Sequence, residues 1–472
     1  MDELIGQSRE FRNKLLGDPY RPTYHFVVPE GYAMPFDPNG CIYWNGRYHL
    51  CYIYQDHSLP HGGHCWGHVS SIDLMHWRHH PPALVPNPGD VDQGIFSGNG
   101  FINKEGEATY LYHGVNAGNC IATSSDDELI NWKKLPSNPI IPNVKEGDPD
   151  FGKYSSWDPH GWLEGDTYYA IFGGQKPSIF KAKELDKWEY VGDLLAHAVQ
   201  DVDINEDISC ADFFKLGDKY VLVCISHRLG CRYYVGEWKN EQFYPEFHEQ
   251  MSWVDNAFFA PESLLDSKGR RIMWAWIFDG RRKASGWSGT MSLPRVLWLG
   301  DDNTLRMNVP DELEMLRYNP RQMSDITIKS GSESRLKEIS GNTFELNIKA
   351  IPYGAKEFGV KVCCSAENEE QTVIFYDAND KKLKIYTKQS SLGEGAKSTE
   401  GGPFELAINE PLSLRVFVDK SVVEVFANDR QAVMRRIYPT RSDSLGVQLY
   451  SEGGATRFES IKAWDMMPSN PY

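Results

Sequence analysis

Long hydrophobic runs are missing from this chain of 472 residues. No stretch is long and apolar enough to span a bilayer, so a helical membrane protein is not expected. The first residues, MDELIGQSREFRNKLLGD, lack the apolar core that a secretory signal needs. Positive charge is also short: 49 Lys and Arg against 65 Asp and Glu leave a formal net charge of −16. Such an acidic surface repels phosphate backbones and anionic lipid, so neither nucleic acid nor a membrane is expected as a partner. Cysteine is sparse and unpatterned: the nine are an odd number, and only the adjacent Cys363 and Cys364 lie close together. That usage predicts reduced thiols in a cytoplasmic protein. Helical periodicity is nearly absent too, limited to residues near 3–16 and 310–317.

What is abundant is aromatic and strand-like. Aromatic residues make up 13% of the chain, a composition that suits β structure and sugar-binding surfaces. Five segments share one pattern after a polar turn: GRYHLCYIY (46–54), EATYLYHGV (107–115), DTYYAIFGG (166–174), DKYVLVCIS (218–226) and RRIMWAWIF (270–278). Their spacing of roughly fifty to sixty residues matches a four-stranded propeller blade. Preceding strands such as CIYWNG, GWLEGD and FFKLGD make hairpins with three of them, and IDLMHW, DDELINW and KELDKW recur downstream of the first three. The expected fold is all-β: a five-bladed β-propeller over residues 1–300, a linker over 301–335, and an antiparallel β-sandwich over 336–472. A sandwich of many short strands throughout would leave the long-period repeat unexplained.

Three places on this pattern carry carboxylates where a blade begins. Asp37 lies in MPFDPNG before the first hairpin, and Asp158 in SSWDPHGW before the third. The stretch NEDISCADFF (205–214) occupies the same place in the fourth. Asp-Pro is a common turn opener, and either aspartate alone reads as a turn cap. The same dipeptide at the same blade position, with acidic residues at a third, points instead to carboxylates converging on the propeller axis. That arrangement suits glycoside cleavage, in which one carboxylate attacks or activates water and another protonates the leaving oxygen.

Several motifs together resemble glycoside hydrolase family 32, which contains invertases, levanases, inulinases and fructosyltransferases. They are MPFDPNG, CWGHVSSIDLMHW (65–77), FSGNG (96–100), WDP (157–159), FFAPESLLDSKGRRIMWAW (258–276), GWSGTMSLPRVL (286–297) and LRVFVDKSVVEVF (414–426). The resemblance runs in order over nearly the whole chain. It implies that Asp37 is the nucleophile of a retaining reaction and that Asp158 stabilises the oxocarbenium-like transition state. It also implies an acid/base Glu directly before Cys210, where this chain has Ser209. A serine hydroxyl has no useful acidity near neutral pH. Glu206 is the expected substitute, with Asp207 close behind, and Asp212 ranks last because it has its own counterpart in the family motif. Should neither Glu206 nor Asp207 serve, the protein is an impaired, sugar-binding relative.

Other departures touch the sugar pocket. Trp157 stands where the family has Arg, exchanging a guanidinium for an aromatic face. Ile53 replaces a family Gln, with Gln55 nearby. Asn39, Gln55, Trp66, Phe96, Ser97, Trp157 and Glu262 are the expected substrate-binding residues, with a core position the alternative for Trp66. His57, His61, His64 and His68 fit no metal spacing and read as loop and pocket groups. Neither a metal nor another cofactor is expected. The resemblance implies hydrolysis of β-fructofuranosidic linkages in sucrose or fructo-oligosaccharides. A fructosyltransferase of the same fold is the alternative, and oligomeric state is not legible.

Overall fold

The computed structural model describes residues 2–29, 33–59, 61–253, 257–278, 287–393 and 397–470; Gly286 of the GWSGTMSLPRVL motif lies outside them. The protein is all-β, with 53% of residues in strands and 5% in helices. One helix, Asp2–Leu16, opens the chain, and a 3-10 turn, Asp311–Leu316, falls where the second helical pattern was expected.

Five antiparallel sheets follow one another along the chain. They run from Pro38–Trp44 to Arg78–Leu84, from Ile95–Ile102 to Lys133–Lys134, from Pro159–Glu164 to Trp188–Asp193, from Ser209–Leu216 to Gln242–Gln250, and from Phe258–Leu265 to Leu305–Asn308. Four are simple four-stranded meanders, and the second gains the short strand Ile141–Pro142 against Gly118–Ser124. Each repeated segment forms the second strand of its sheet: Arg47–Gln55, Ala108–Gly114, Thr167–Phe172, Lys219–Ser226 and Arg271–Ile277. These strands are buried on both faces for most of their length, which is why their apolar residues run continuously rather than alternating. The recurring IDLMHW, DDELINW and KELDKW elements are the turns between third and fourth strands. In two of them the tryptophan indole donates to the carbonyl three residues back, Trp132 to Leu129 and Trp188 to Leu185, both at 2.8 Å.

The first strands of the five sheets touch in cyclic order, the last returning to the first. This ring places the starts of Pro38–Trp44, Pro159–Glu164 and Ser209–Leu216 near one another, and with them the acidic stretches read from the sequence.

Two six-stranded sheets complete the fold. One contains Arg317–Ile328, Ala455–Met466, Thr343–Tyr353, Leu412–Asp419, Val422–Ala427 and Gln431–Arg436. The other runs from Ser332–Ser340 through Gly446–Glu452 to Thr399–Pro403. Leu346, Ile348, Phe358, Val360, Val416 and Leu449 belong to one buried apolar cluster drawn from both sheets. The expected linker 301–335 is largely structured. Leu305–Asn308 is the outer strand of the fifth sheet, and Arg317–Ile328 is a sandwich edge strand. Leu305–Asn308 is too short, at four residues, to read as a strand in the sequence, and Arg317–Ile328 is an edge strand that buries little.

The LRVFVDKSVVEVF motif supplies the junction between the two halves. Asp419 accepts the backbone N–H groups of Thr23, Tyr24 and His25 at 2.7–2.9 Å and pairs with His25 Nδ1 at 3.0 Å. Glu424 meets His25 Nε2 at 3.4 Å and Arg295 at 2.6 Å. All four ionisable side chains are essentially without solvent exposure. The carboxylates hold the His25 pKa above its usual value against the opposing effect of burial. Removing one member of such a network strands the others in a low dielectric, at about 3–5 kcal/mol. Asp419→Asn is therefore expected to lower Tm by about 10 °C; thermal unfolding with wild-type Tm would show that the junction does not need this charge.

Candidate active site

The inner strands share one local device. Register shifts fall at Asn39/Ile42, Ile95/Gly98, Ser209/Asp212 and Phe259/Glu262, close to the starts of four of the five strands. Gly40, Cys210 and Ala260 in these bulges have φ of +55°, +47° and +48°. Asp158, just before the remaining inner strand, has φ +37°. Bulges re-aim side chains, and non-glycine residues in this region are strained positions that concentrate at functional sites. Gly40 is also required by space, since a Cβ there would lie 2.8 Å from the Tyr110 ring.

Hydrogen bonds between neighbouring sheets close the ring and position the acids. Ser97 Oγ donates to Asp37 Oδ2 at 2.8 Å. Asn39 donates to the Asp37 carbonyl at 2.8 Å and accepts from Gly98 N–H at 2.9 Å. Asn99 pairs with both backbone groups of Gly161, at 2.7 and 2.9 Å. Asp158 Oδ2 accepts from Cys210 N–H at 3.0 Å and faces its thiol at 3.5 Å. Ser263 Oγ donates to Asp212 at 2.5 Å, and Cys41 N–H donates to Glu262 at 3.0 Å. Asp37 Oδ1 is buried and has no hydrogen-bond partner among the described residues. A carboxylate held by one oxygen with the other bare can present that oxygen to an electrophile.

Residues 25–309 match the Glycosyl hydrolases family 32 N-terminal domain, and residues 312–465 match the Glycosyl hydrolases family 32 C terminal. The chain belongs to glycosyl hydrolases family 32. A levanase of Bacillus subtilis (strain 168) is 30% identical, over 95% of this chain and 72% of its own length. A sucrose-6-phosphate hydrolase of Escherichia coli is 29% identical over 95% and 96%. The crystal structure of fructan 1-exohydrolase IIa from Cichorium intybus superimposes with a TM-score of 0.83 at 22% identity, covering 96% of this chain and 98% of that one.

Within this family 32 chain, the expected site residues divide by what they touch. Asp37, Ser97, Asp158 and Cys210 form one connected group. Glu206 does not join it. Its carboxylate accepts from Ser226 Oγ and pairs with Arg228, contacts that hold its pKa below the usual range against the cost of burial. The bulge at Cys210 does not bring Glu206 forward, and the longer acid is spent on the turn after the second strand. Asp207 stays nearer: it accepts from Ser209 Oγ at 2.7 Å, and its charge raises the Asp158 pKa.

Three expected sugar contacts serve other ends. Trp66 has 0% exposure, donates to the Phe96 carbonyl at 3.1 Å and packs edge-on against Tyr110 and Tyr112, so it is a core residue. The Asn39 amide is also occupied, its nitrogen by the Asp37 carbonyl and its oxygen by Gly98 N–H of the next sheet. Gln55 accepts from Met34 N–H at 2.8 Å and donates to the Met34 carbonyl, latching the backbone that leads to Asp37. Glu262 lines the narrow axial void below Asp158, where burial raises its pKa well above the usual value. Phe96 and Trp157, the latter 38% exposed, line an open hollow of about 510 Å³ with His113, Phe151 and Tyr154. Of the four histidines expected as loop and pocket groups, His64 and His68 lie instead in the strand His64–Ser71: His64 leans on Phe96 at 4.7 Å, and His68 is buried in a stack with His49 and His80. No group of His, Cys, Asp and Glu able to hold a metal occurs among the described residues. The sequence reading missed the inter-sheet roles of Asn99 and Cys210 and the position of His227; FSGNG was the available signal for the first.

Burial pushes the Asp37 pKa up to about 7, with Ser97 opposing and the Asp158 charge adding. Burial likewise lifts Asp158 to about 6, against the donors of Cys210. With Asp37 as the nucleophile expected from the sequence, attack would require its ionised form, so kcat/KM is expected to fall about tenfold per pH unit as pH drops below about 7, through the coupled titration of the pair. The raised pKa means that folding disfavours the charged form, a cost that grows as pH rises from the unfolded range toward 7. Asp37→Asn removes it and should stabilise the protein by about 1–3 kcal/mol near pH 8, with the gain vanishing near pH 4. Denaturant unfolding at the two pH values checks this, and equal stability of the variant and wild type at both would contradict it.

Proposed function

We propose that this protein is a retaining hydrolase of β-fructofuranosidic linkages in sucrose or short fructo-oligosaccharides. The carrying observation is Asp37: one oxygen anchored by Ser97, the other bare, and Asp158 tied to the next sheet beside it. In this reading Asp37 attacks the anomeric carbon of the fructosyl unit and forms a glycosyl ester. Asp158 holds ring hydroxyls and stabilises positive charge as the bond to the leaving oxygen breaks. The leaving oxygen also needs a proton donor, and Glu206 is already committed to Ser226 and Arg228. Water then releases fructose with the original anomeric configuration.

The fold supports the same reading. Five sheets whose first strands meet in cyclic order suit a five-bladed propeller that ends near Asn308, with a sandwich beginning at Arg317. The hollow beside Trp157 offers aromatic faces to a sugar ring. Among the described residues its lining carries no Lys or Arg, which favours a neutral sugar over a phosphorylated one. We place the protein in the cytoplasm, on sugars taken into the cell; an odd number of cysteines without a paired spacing supports this.

Asp37→Asn should abolish hydrolysis of sucrose and of short fructo-oligosaccharides while the variant stays folded. NMR of the wild-type reaction should show β-fructofuranose as the first product. Substantial activity in folded Asp37→Asn, or the inverted anomer first, would overturn the nucleophile assignment. A wild type that binds fructosides and never turns them over would favour the sugar-binding reading that Ser209 raises. For location, the protein denatured and alkylated at the moment of cell lysis, without reductant, should show nine blocked thiols; thiols that emerge only after reduction would contradict a cytoplasmic site.

A further inference from the structure

Family 32 membership leaves one chemical step without an owner in this chain, because Ser209 cannot protonate a leaving group and Glu206 is committed to Ser226 and Arg228. The groups around Asp207 supply one. Asp207 Oδ2 accepts both the backbone N–H of His227, at 3.2 Å, and its ring Nδ1, at 2.6 Å. Asp207 Oδ1 accepts from Ser209 Oγ, and the next residue, Cys210, is the one that holds Asp158. A continuous set of contacts thus leads from the Asp37 and Asp158 pair to an imidazole.

His227 also sits at the correct end of the fold. It begins the turn between Lys219–Ser226 and Gly230–Lys239. The second strand runs antiparallel to the inner one, so that Ile225 pairs with Ser209 at the inner strand's start. The turn that follows therefore stands at the mouth where Asp37 and Asp158 lie. The His227 side chain is 66% exposed, and its ring meets the edge of Phe259 from the neighbouring inner strand at 5.8 Å. Its positive charge lowers the pKa of both Asp37 and Asp158, as a cation close to the two carboxylates must.

We propose that His227, oriented by Asp207, is the general acid and base of the reaction, in place of the carboxylic acid whose position Ser209 occupies. This deepens the hydrolase reading above and rests on it. With Nδ1–H donated to Asp207, Nε2 is the nitrogen that exchanges the working proton. In the first step the Asp37 oxygen bonds to the anomeric carbon and the bond from that carbon to the leaving oxygen breaks. The Nε2 proton passes to the leaving oxygen, which departs as a neutral alcohol. In the second step neutral Nε2 takes a proton from water as the water oxygen attacks the same carbon, and the Asp37 ester bond breaks. The histidine ends protonated and Asp37 ionised, as both began. Asp207 is a positioning residue: it fixes the ring through Nδ1.

The test compares two substrates with the full-length protein: sucrose, whose leaving group needs a proton, and 4-nitrophenyl β-fructofuranoside, whose leaving group departs without one. His227→Gln should lose about 100- to 1000-fold in kcat/KM on sucrose and less than about tenfold in the rate of the nitrophenolate burst. Azide should then speed turnover of the aryl fructoside by attacking the fructosyl-enzyme without base help. Asp207→Asn should show the same dependence more weakly, with kcat reduced and KM little changed. Glu206→Gln should show no leaving-group dependence. Equal losses on both substrates for His227→Gln, or a selective loss in Glu206→Gln instead, would overturn the role of His227 while leaving Asp37 as nucleophile. A wild type inert on both substrates would overturn the hydrolase reading itself and this inference with it. His227 is largely exposed, so its replacement should leave Tm unchanged, which separates lost chemistry from lost fold.

Discussion

Asp37, Asp158, Asp212 and Glu262 are all nearly excluded from solvent, and each lies at or beside an inner strand of one ring. Burying that many carboxylates is the condition the first five sheets must satisfy, because an ionised acid out of water is costly unless donors face it. Every donor comes from an adjacent sheet. Ser97 serves Asp37, Cys210 serves Asp158, Ser263 serves Asp212, and Cys41 serves Glu262. The contacts that make the acids tolerable are therefore the contacts that join neighbouring sheets. A change that loosens the ring would also uncover the acids.

The donors are neutral, with Arg271 beside Asp212 as the main exception. An arginine against Asp37 would have held its pKa low and taken up its lone pairs. A serine hydroxyl and a thiol with one backbone N–H instead leave the pair titrating near neutrality, at about 7 and about 6. Cationic partners are kept for the junction with the sandwich, where Arg295 and His25 meet Glu424 and Asp419. The same residue class thus stays ionised as a fixed support at one place and titrates near neutrality at another, according to which donors surround it.

The fourth inner strand shows how a local irregularity reassigns side chains. A regular strand would put Asp207 and Ser209 on one face. With Cys210 at φ +47°, the strand is bulged, Ser209 turns its hydroxyl to Asp207, and the Cys210 N–H is freed for Asp158. A substitution at the family acid position is therefore accommodated without disturbing the neighbouring carboxylates.

Much of this was readable from the chain alone. The five repeated segments are apolar throughout because they lie second in sheets packed on both sides, so their period was a direct record of the architecture. Asp37 and Asp158 stood out because each is an Asp-Pro pair directly before an inner strand. LRVFVDKSVVEVF was legible as a motif, although its Asp419 and Glu424 could not be assigned a partner, since His25 and Arg295 lie more than a hundred residues away. An edge strand such as Arg317–Ile328 buries too little to leave a pattern. Nothing local distinguishes Glu206 from Asp207 in NEDISCADFF. The choice depends on Arg228 and His227, two neighbours on a turn about twenty residues later, and on the sign of one backbone angle. The sequence determined which strands repeat and where acids meet the axis, because those follow from periodicity and turn chemistry. Which acid keeps its proton, which is tied to a cation, and which histidine faces the pair were decided only when distant segments came within hydrogen-bond reach, because a pKa is set by surroundings that spacing along the chain does not encode.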